Sequence, residues 1–200
     1  DCYEELHAAL DYAFANSIKG NVIVEEFIEK RGCSSDSDSF SYNGELKIVT
    51  FSAQRFDANA INPYAPSAYS WPSTFTEEEE SYLKSEIQRL LALLKMNTSI
   101  YNIETRIGMS GKPYIMEVSP RGGGNRLAEV VRYATGVDMI TACTRAAVGD
   151  SIDDILQRPY NGHWAEIILH ADTDGEFSHL QINPLLPAEV VEKDLWVNPG

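Results

Sequence analysis

The sequence lacks the features that define several large classes of protein. No apolar run in its 200 residues approaches the roughly 18 residues needed to cross a bilayer, so we expect no membrane-spanning helix. Lysine and arginine are few, 16 against 30 aspartates and glutamates, which gives a formal net charge of −14. Nucleic acids and anionic membranes would be repelled by such a charge. Neither is therefore expected as a partner.

Cysteine is also scarce, and its three copies, Cys2, Cys33 and Cys143, show no metal-site spacing. An odd number of cysteines without a metal-site motif favours free thiols in a reducing cytoplasm, so we expect a cytoplasmic protein. None of the histidines near the end of the sequence has a cysteine or carboxylate at ligand spacing, and surface or packing roles are expected for them. They are His163, His170 and His179.

Hydrophobic periodicity predicts a mixed α+β chain with helices and antiparallel strands. A capping box at Thr76 and Glu79 marks the clearest helix, and Asn43-Gly44 is a strong hairpin turn. The expected helices cover residues 4–17, 77–95, 125–135 and 139–148, and the expected strands cover 21–29, 40–42, 46–53, 100–107, 113–120, 164–171 and 177–182.

The remaining segments predict two loops and a strand-rich region late in the chain. Residues 30–39 are polar and serine-rich, which favours a loop, and residues 57–75 read as a long ordered loop. After Asp150 the pattern becomes strand-rich. We therefore expect a main unit over 1–150 and the start of a small β-rich subdomain over 151–200.

Two acidic segments near the middle of the sequence predict a β-hairpin. With Ser110-Gly111 at its tip, residues equidistant from the tip face each other, and Glu104 is paired with Glu117. Facing Cβ atoms lie roughly 4.5–5.5 Å apart, so two like charges there repel. A hard divalent cation, above all Mg²⁺, would relieve this repulsion. An exposed hairpin with both glutamates in water is the alternative.

Strict alternation gives this hairpin one apolar and one polar face. On the first strand one face has Tyr101, Ile103, Thr105 and Ile107, and the other face has Asn102, Glu104 and Arg106. On the second strand one face has Tyr114, Met116 and Val118, and the other face has Ile115, Glu117 and Ser119. The hairpin leads into Arg121 and the glycines Gly122, Gly123 and Gly124, which precede a helix. A glycine-rich turn that enters a helix exposes N–H groups to an anion. A tight turn with a purely structural role is the alternative.

Together these segments resemble the ATP-grasp superfamily. Asn102-Ile103-Glu104 and Glu117-Val118-Ser119-Pro120-Arg121 are similar to the two metal-binding glutamates of that family and its following Asn-Pro-Arg segment. Residues 134–138 resemble a helix end of its carboxylate–amine ligases, and residues 22–28 resemble its adenine-binding hinge. The resemblance covers about residues 1–150 in consistent order. It implies a partial ATP-grasp fold, an antiparallel sheet packed by helices, followed by a small β-rich appendage.

The resemblance also implies a function: an ATP-dependent ligase that activates a carboxylate as an acyl phosphate for attack by an amine or similar nucleophile. Glu104, Glu117 and Ser119 would hold Mg²⁺, or Mn²⁺ as the alternative, against the phosphates of ATP. Ser119 departs from the family pattern, which usually has an asparagine there, and its hydroxyl has a shorter reach. Arg121 would stabilise the transferring phosphoryl group or grip the acyl carboxylate.

The implied ligands extend to the hinge and to the glycine turn. Main-chain groups of Glu25, Glu26, Phe27 and Ile28 would bind adenine. The N–H groups of Gly122, Gly123 and Gly124 would bind the substrate carboxylate or the acyl phosphate. The expected partners are ATP, a small carboxylate and an amine-type acceptor, with a homodimer as one assembly that the family allows.

One part of the family pattern is not found upstream of the hinge. The family's phosphate-binding lysines and glycine-rich flap have no comparable segment before Val22. We expect the chain to be a piece of a larger ligase and to turn over no ATP alone. Carbamoyl-phosphate-synthetase-like and purine-pathway ligases stay open as the kind of parent. The alternative function, favoured by Ser119, is a non-catalytic ATP-grasp-like module for nucleotide binding or interaction.

Overall fold

A computed structural model describes residues 3–171, 173–186 and 189–199 of the chain. The helices are α1 (Tyr3–Asn16), α2 (Glu77–Leu93), α3 (Leu127–Thr135) and α4 (Met139–Ala147). The strands are β1 (Ser35–Tyr42), β2 (Glu45–Val49), β3 (Ala53–Phe56), β4 (Pro66–Trp71), β5 (Ser99–Ile107), β6 (Pro113–Ser119) and β7 (Trp164–Ile167). All strand pairs are antiparallel, so the predicted α+β class is confirmed.

The larger sheet carries the predicted acidic hairpin and has the strand order β2-β1-β5-β6. Helix α2 packs its apolar stripe on one face of this sheet, because leucines and isoleucines at helical spacing meet the apolar residues of β5. The buried members of this cluster include Leu83, Ile87, Leu91, Tyr101, Ile103 and Ile107. Burial of these side chains fixes β5, and with it the polar residues that alternate along the same strand.

A second, three-stranded sheet has the order β3-β4-β7. Its buried Tyr69 and Trp71 join one apolar cluster with Phe40 of β1 and with α3 and α4, whose contributions include Val131 and Met139. Strand β7 thus extends a sheet that earlier residues begin. The division of the chain after residue 150 stays a prediction.

Several predicted elements are confirmed. Helix α1 and the clear helix α2 form, and the capping box at Thr76 and Glu79 is present. Asn43 and Gly44 join β1 to β2 with φ of 51° and 81°, the left-handed pair that a two-residue hairpin turn of this type requires.

The predicted strand over residues 21–29 is wrong. The structure has no strand there, and the side chains of Ile23, Val24 and Phe27 are exposed. A β-rich run forms a strand only when another strand supplies hydrogen-bond partners. Here the main chain meets the acidic hairpin near its end, where Met109 N donates to the oxygen of Glu29 and the Arg106 side chain donates to the oxygen of Ile28.

The predicted loop over residues 30–39 is also wrong, because β1 begins at Ser35 and is largely buried. Ser35, Ser37 and Ser41 are buried with hydrogen-bond partners of their own, whereas the buried hydroxyl of Ser39 has none among the described residues. The Ser37 hydroxyl lies 2.6 Å from the hydroxyl of Thr50 and accepts from the Trp71 indole N–H, and Ser35 accepts from Ser52 N. Polar side chains that are satisfied in this way can enter a core.

The late part of the chain is less strand-rich than predicted. Strand β4 forms inside the expected loop over 57–75, whereas β7 ends at Ile167 and residues 177–182 form no strand. The ring of His170 makes a hydrogen bond with the main-chain oxygen of Pro66. None of the helices in the described residues is both long and apolar enough to span a bilayer.

The capping box of α2 gives a first prediction about stability. We expect Thr76→Ala to lower the free energy of unfolding by about 1 kcal/mol, because the N–H of Glu79 loses its acceptor. Ser81→Ala, on the exposed side of the same helix, is the matched control and should leave stability within about 0.5 kcal/mol. Urea unfolding followed by circular dichroism measures both, and equal effects of the two changes would contradict the prediction.

Candidate functional site

The acidic hairpin forms with the predicted pairing at its polar end. Glu104 of β5 is paired with Glu117 of β6, and Asn102 is paired with Ser119. Tyr101, Ile103, Thr105 and Ile107 are buried on the opposite face of β5, as the alternation predicts. The two glutamates therefore face each other on the polar face of the sheet.

The alternation predicted for β6 is wrong at one point, because the strand contains a β-bulge. The register shifts by one residue between Glu104 and Thr105, since Thr105 pairs with Ile115 and leaves Met116 between two paired residues. An extra residue in one strand reverses the facing of all residues beyond it. Ile115 accordingly packs in the same apolar cluster as Val118 instead of facing the other way.

A third carboxylate lies beside the pair, on the strand that the sequence did not predict. Asp36 of β1 is the partner of Glu104 on its other side. Asp36, Glu104 and Glu117 thus form one row across three neighbouring strands, which we call the acidic row. The Tyr69 hydroxyl donates to Asp36 Oδ2 at 3.1 Å from the second sheet.

A second row runs parallel to the first and consists of Asp38, Asn102 and Ser119, here called the polar row. The Asn102 amide joins the two rows, since Nδ2 donates to Asp36 Oδ1 at 2.6 Å and to Asp38 Oδ1 at 3.4 Å. At the other end, the Ser119 hydroxyl donates to Glu117 Oε1 at 2.7 Å. The hydroxyl oxygen of Ser119 keeps its lone pairs for another partner.

Two carboxyls of the acidic row, Asp36 and Glu104, have raised pKa values. Burial raises the pKa of Asp36, and hydrogen bonds from Asn102 and Tyr69 oppose that rise. Burial also raises the pKa of Glu104, and the negative charges of Asp36 and Glu117 raise it further. A positive charge placed at this row would favour the ionised forms of both carboxyls.

Asp38 lies beneath the glycine turn with no exposed surface. Its Oδ1 accepts from the main-chain N–H of Gly123 at 2.8 Å, while its Oδ2 is buried without a hydrogen-bond partner. Burial raises the pKa of Asp38 to about 6, although the hydrogen bonds from Gly123 and Asn102 act in the opposite direction. The carboxyl ties the glycine turn to the sheet.

The glycine at position 123 is required by close approach to the sheet. A Cβ added there would lie 2.7 Å from Asn102 Nδ2, 2.7 Å from Leu127 Cδ1 and 3.0 Å from Asp38 Oδ1. A Cβ at Gly124 would meet nothing within 4 Å. The turn therefore packs on the polar row at one glycine and leaves the next one open.

Arg121 lies next to the same carboxylates. Its positive charge lowers the pKa of both Asp36 and Asp38, and its Nη1 donates to the oxygen of Gly122 at 2.9 Å. The side chain is exposed, which leaves most of its five donors to solvent or a ligand. The structure thus brings together the predicted Arg121, Glu104, Glu117, Ser119 and the glycine turn.

Arg106 connects the predicted hinge to this site. Its Nη1 donates to the oxygen of Ile28 at 2.9 Å, and its Nη2 lies 3.9 Å from Glu104 Oε1. One lone pair of the Ile28 carbonyl is therefore already used. Glu25, Glu26 and Phe27 are exposed, so their main-chain groups are open to a ligand.

The sequence interpretation missed Asp36, Asp38 and Tyr69. The spacing of Asp36 and Asp38, two positions apart, was the available signal, since it puts both carboxylates on one face of a strand. Serines at the intervening positions hid it by making the segment polar on both faces. Nothing in the sequence marks Tyr69, which reaches the site from another sheet.

The chemistry of the donors fits a magnesium ion. Carboxylates in one row and a hydroxyl are hard oxygen ligands of the kind that Mg²⁺ prefers. Burial, above all, raises the pKa values of Asp36 and Glu104. Within the described residues, no three histidine, cysteine, aspartate or glutamate side chains form a complete ion site by themselves.

Comparison with solved structures defines the class to which this architecture belongs. The fold is that of the ATP-grasp superfamily, as the sequence resemblance predicts. The chain is similar to L-amino acid ligase from Bacillus licheniformis, with a TM-score of 0.72 at 19% identity over 90% of this chain and 44% of that chain. It is also similar to biotin carboxylase from Campylobacter jejuni, solved with β,γ-ATP, with a TM-score of 0.69 at 16% identity over 84% of this chain and 37% of that one.

A third similar structure is the biotin carboxylase domain dimer of Hydrogenobacter thermophilus 2-oxoglutarate carboxylase, solved with MgADP and bicarbonate. Its TM-score is 0.67 at 20% identity, over 82% of this chain and 36% of that chain. Among curated proteins, the uncharacterized protein y4rH of Sinorhizobium fredii is 29% identical over 148 residues, 70% of this chain and 30% of its own length. No family model matches the sequence. The chain spans less than half the length of these relatives.

The contact at Gly123 predicts a difference between two neighbouring glycines. We expect Gly123→Ala to lower the free energy of unfolding by about 1–3 kcal/mol, because the new methyl group overlaps Asn102 and Leu127. Gly124→Ala is the matched control and should change stability by less than about 0.5 kcal/mol, since no atom lies near its Cβ. Thermal and urea unfolding measure both variants. Equal stability of the two would show that the turn does not pack on the polar row.

The buried carboxyl of Asp38 predicts a dependence of stability on pH. Its pKa of about 6 in the folded state lies above the ordinary 3.8, so the folded state binds more protons between those values. The free energy of unfolding therefore falls as pH rises from about 4 to 6, and the loss is complete above that range. Asp38→Asn should remove this part of the dependence and stabilise the protein by about 2–3 kcal/mol at pH 7.5.

The exposed Asp174→Asn is the control for this change and should leave the pH profile as it is. The pKa values of Asp36 and Glu104 are also raised. In the Asp38→Asn variant the free energy of unfolding therefore still falls with rising pH, but less steeply. A decrease in stability of Asp38→Asn at pH 7.5 would contradict the prediction.

Proposed function

We propose that the chain forms a nucleotide- and metal-binding part of an ATP-dependent ligase that activates a carboxylate as an acyl phosphate. The observation that carries the proposal is the pairing of Glu104 with Glu117 in a row of three carboxylates, beside Arg121 and a glycine turn. Phosphoryl transfer needs positioning and charge neutralisation more than covalent chemistry from the protein. These residues supply both.

The metal ligands in this proposal are Glu104 and Glu117, with the hydroxyl oxygen of Ser119 as a further donor. When bound, Mg²⁺ or Mn²⁺ supplies neutralisation of the charge on the β- and γ-phosphates of ATP. Ser119 already donates its proton to Glu117, so the lone pairs of the hydroxyl and the second oxygen of Glu117 remain for the ion. The raised pKa of Glu104 supports its role, because a cation there would relieve the repulsion from Asp36.

Arg121 and the glycine turn act on the transferred group in this proposal. The guanidinium of Arg121 grips the phosphoryl group or the acyl carboxylate through paired N–H donors. The N–H of Gly123 is used by Asp38, so the neighbouring amides of Gly122 and Gly124 are the ones that remain for the substrate. Asp38 holds these amides in place from below.

The hinge would bind adenine through the main chain of Glu25, Glu26 and Phe27, with Ile28 at its end. Arg106 supports this placement, because one guanidinium contacts both the Ile28 oxygen and the acidic row. The nucleotide would then extend from the hinge towards Glu104. A small carboxylate and an amine-type acceptor complete the proposed reaction.

Binding of nucleotide with metal tests the proposal directly. We expect Glu117→Gln to weaken the Mg²⁺-dependent part of ADP binding by about tenfold or more, because a ligand charge is lost at the acidic row. The exposed Glu78→Gln on α2 is the matched control with the same change of net charge. Isothermal titration with ADP, in the presence of Mg²⁺ and of EDTA, measures the difference for each variant.

Unchanged Mg²⁺ dependence in Glu117→Gln would remove this glutamate from the metal site. Binding of ADP that is tight but independent of Mg²⁺ in the unaltered chain would favour a non-catalytic nucleotide-binding module, which Ser119 in place of the usual asparagine also favours. Absence of any ADP binding would contradict both.

A further inference from the structure

Arg126 lies two residues beyond the glycine turn and has an unusual backbone. Asn125 and Arg126 both adopt left-handed conformations, with φ of 54° and 59°, which residues other than glycine rarely do. Two such residues in succession cost free energy, and such conformations cluster where chains bind ligands. Arg126 occupies the position that precedes α3, and its side chain makes no hydrogen bond to the helix N–H groups.

The Arg126 side chain instead binds carboxylates. Its Nε and Nη2 donate to the two oxygens of Glu129 at 2.6 and 3.0 Å, and its Nη1 donates to Glu192 Oε1 at 2.6 Å and to Asp194 Oδ2 at 3.3 Å. Glu129 belongs to the first turn of α3, one helical turn away. Glu192 and Asp194 come from the segment 189–199, far along the chain.

The number of acids at this guanidinium exceeds what neutrality requires. Glu129 forms a bidentate pair with Nε and Nη2, and Glu192 and Asp194 both accept from Nη1, so three carboxylates surround one guanidinium. The Tyr133 hydroxyl and the charge of Arg132 hold Glu192 in place, and the hydrogen bond from Tyr133 lowers the pKa of Glu192 together with that from Arg126. The segment 189–199 therefore presents carboxylates to an arginine beside the glycine turn.

We propose that Arg126 is a binding site for a carboxylate of the ligase substrates, and that Glu192 and Asp194 occupy this site as competitors from the same chain. Arg121 and the glycine amides serve the group that is phosphorylated, so the ligand of Arg126 is a second carboxylate, such as that of the acceptor. The inference rests on the proposed function for the identity of this ligand. The occupied site itself rests on the contacts of Arg126.

The occupied arrangement has a physical consequence for affinity. An incoming carboxylate must displace acids that are already tethered next to the guanidinium, and it meets their negative charge on approach. Removing the charges of Glu192 and Asp194 therefore strengthens binding of an external carboxylate to Arg126. Removing equal charge elsewhere on the surface has little effect on it, because exposed charges beyond about 10 Å are screened at ordinary salt.

Acetate titrated into the isotope-labelled chain tests this inference, with the Nε–H resonance of Arg126 as the signal. We expect the double variant Glu192→Gln/Asp194→Asn to bind acetate about tenfold more tightly than the unaltered chain. The double variant Asp174→Asn/Glu176→Gln changes the net charge equally at exposed positions and is the matched control, expected to stay within about twofold. Adding Arg126→Gln to the first double variant should abolish the gain.

The inference is overturned if the two double variants bind acetate equally, or if the gain survives Arg126→Gln. Thermal unfolding and the amide spectrum of each variant show whether α3 remains folded, and Arg126→Lys keeps the charge but removes the paired donors if Arg126→Gln unfolds it. Binding of ADP with Mg²⁺ is measured separately on the same samples. Loss of nucleotide binding counts against the proposed function, whereas unchanged acetate binding counts only against the site at Arg126.

Discussion

Burial of carboxylates side by side on one face of a sheet is the constraint on which this structure depends. Asp36 and Glu104 are neighbours across two strands, and Asp38 lies beneath a turn with no exposed surface. Such groups raise the free energy of the fold unless donors or cations offset them. The Asn102 amide, the Tyr69 hydroxyl and the Gly123 N–H supply part of that compensation. The bonds from Tyr69 and Gly123 also tie the second sheet and the glycine turn to this sheet.

The elements that could be predicted from the sequence are those with local causes. Helix α2 follows from a capping box and an apolar stripe, and the pairing of Glu104 with Glu117 follows from a short loop between alternating strands. The first part of β1, residues 35–39, could not be predicted as a strand, because the partners of Ser35 and Ser37 are distant in sequence. The strand predicted over residues 21–29 does not form for the opposite reason. The composition of this segment favours a strand, but no neighbouring strand pairs with it.

The residues of the candidate site likewise fall into a group that the sequence predicts and a group that it does not. Glu104, Glu117 and the glycine turn lie within one continuous stretch, so spacing alone brings them together. Asp36 enters through the pairing of β1 with β5, and its hydrogen bond with Asn102 joins residues 66 positions apart. Contacts of that separation leave no periodic trace in a single sequence. The pKa values of the row depend on burial and are therefore properties of the assembled sheets.

The bulge at Met116 divides β6 into two halves that pair with β5 in different registers. Towards the loop, β6 turns Ile115 to the apolar side under α2, and beyond Met116 it turns Val118 to that side as well. Both halves thus pack in the same apolar cluster, while Glu117 stays paired with Glu104. The bulge therefore joins two registers in one hairpin: residues near the loop pair in one register, and the carboxylates pair in the other.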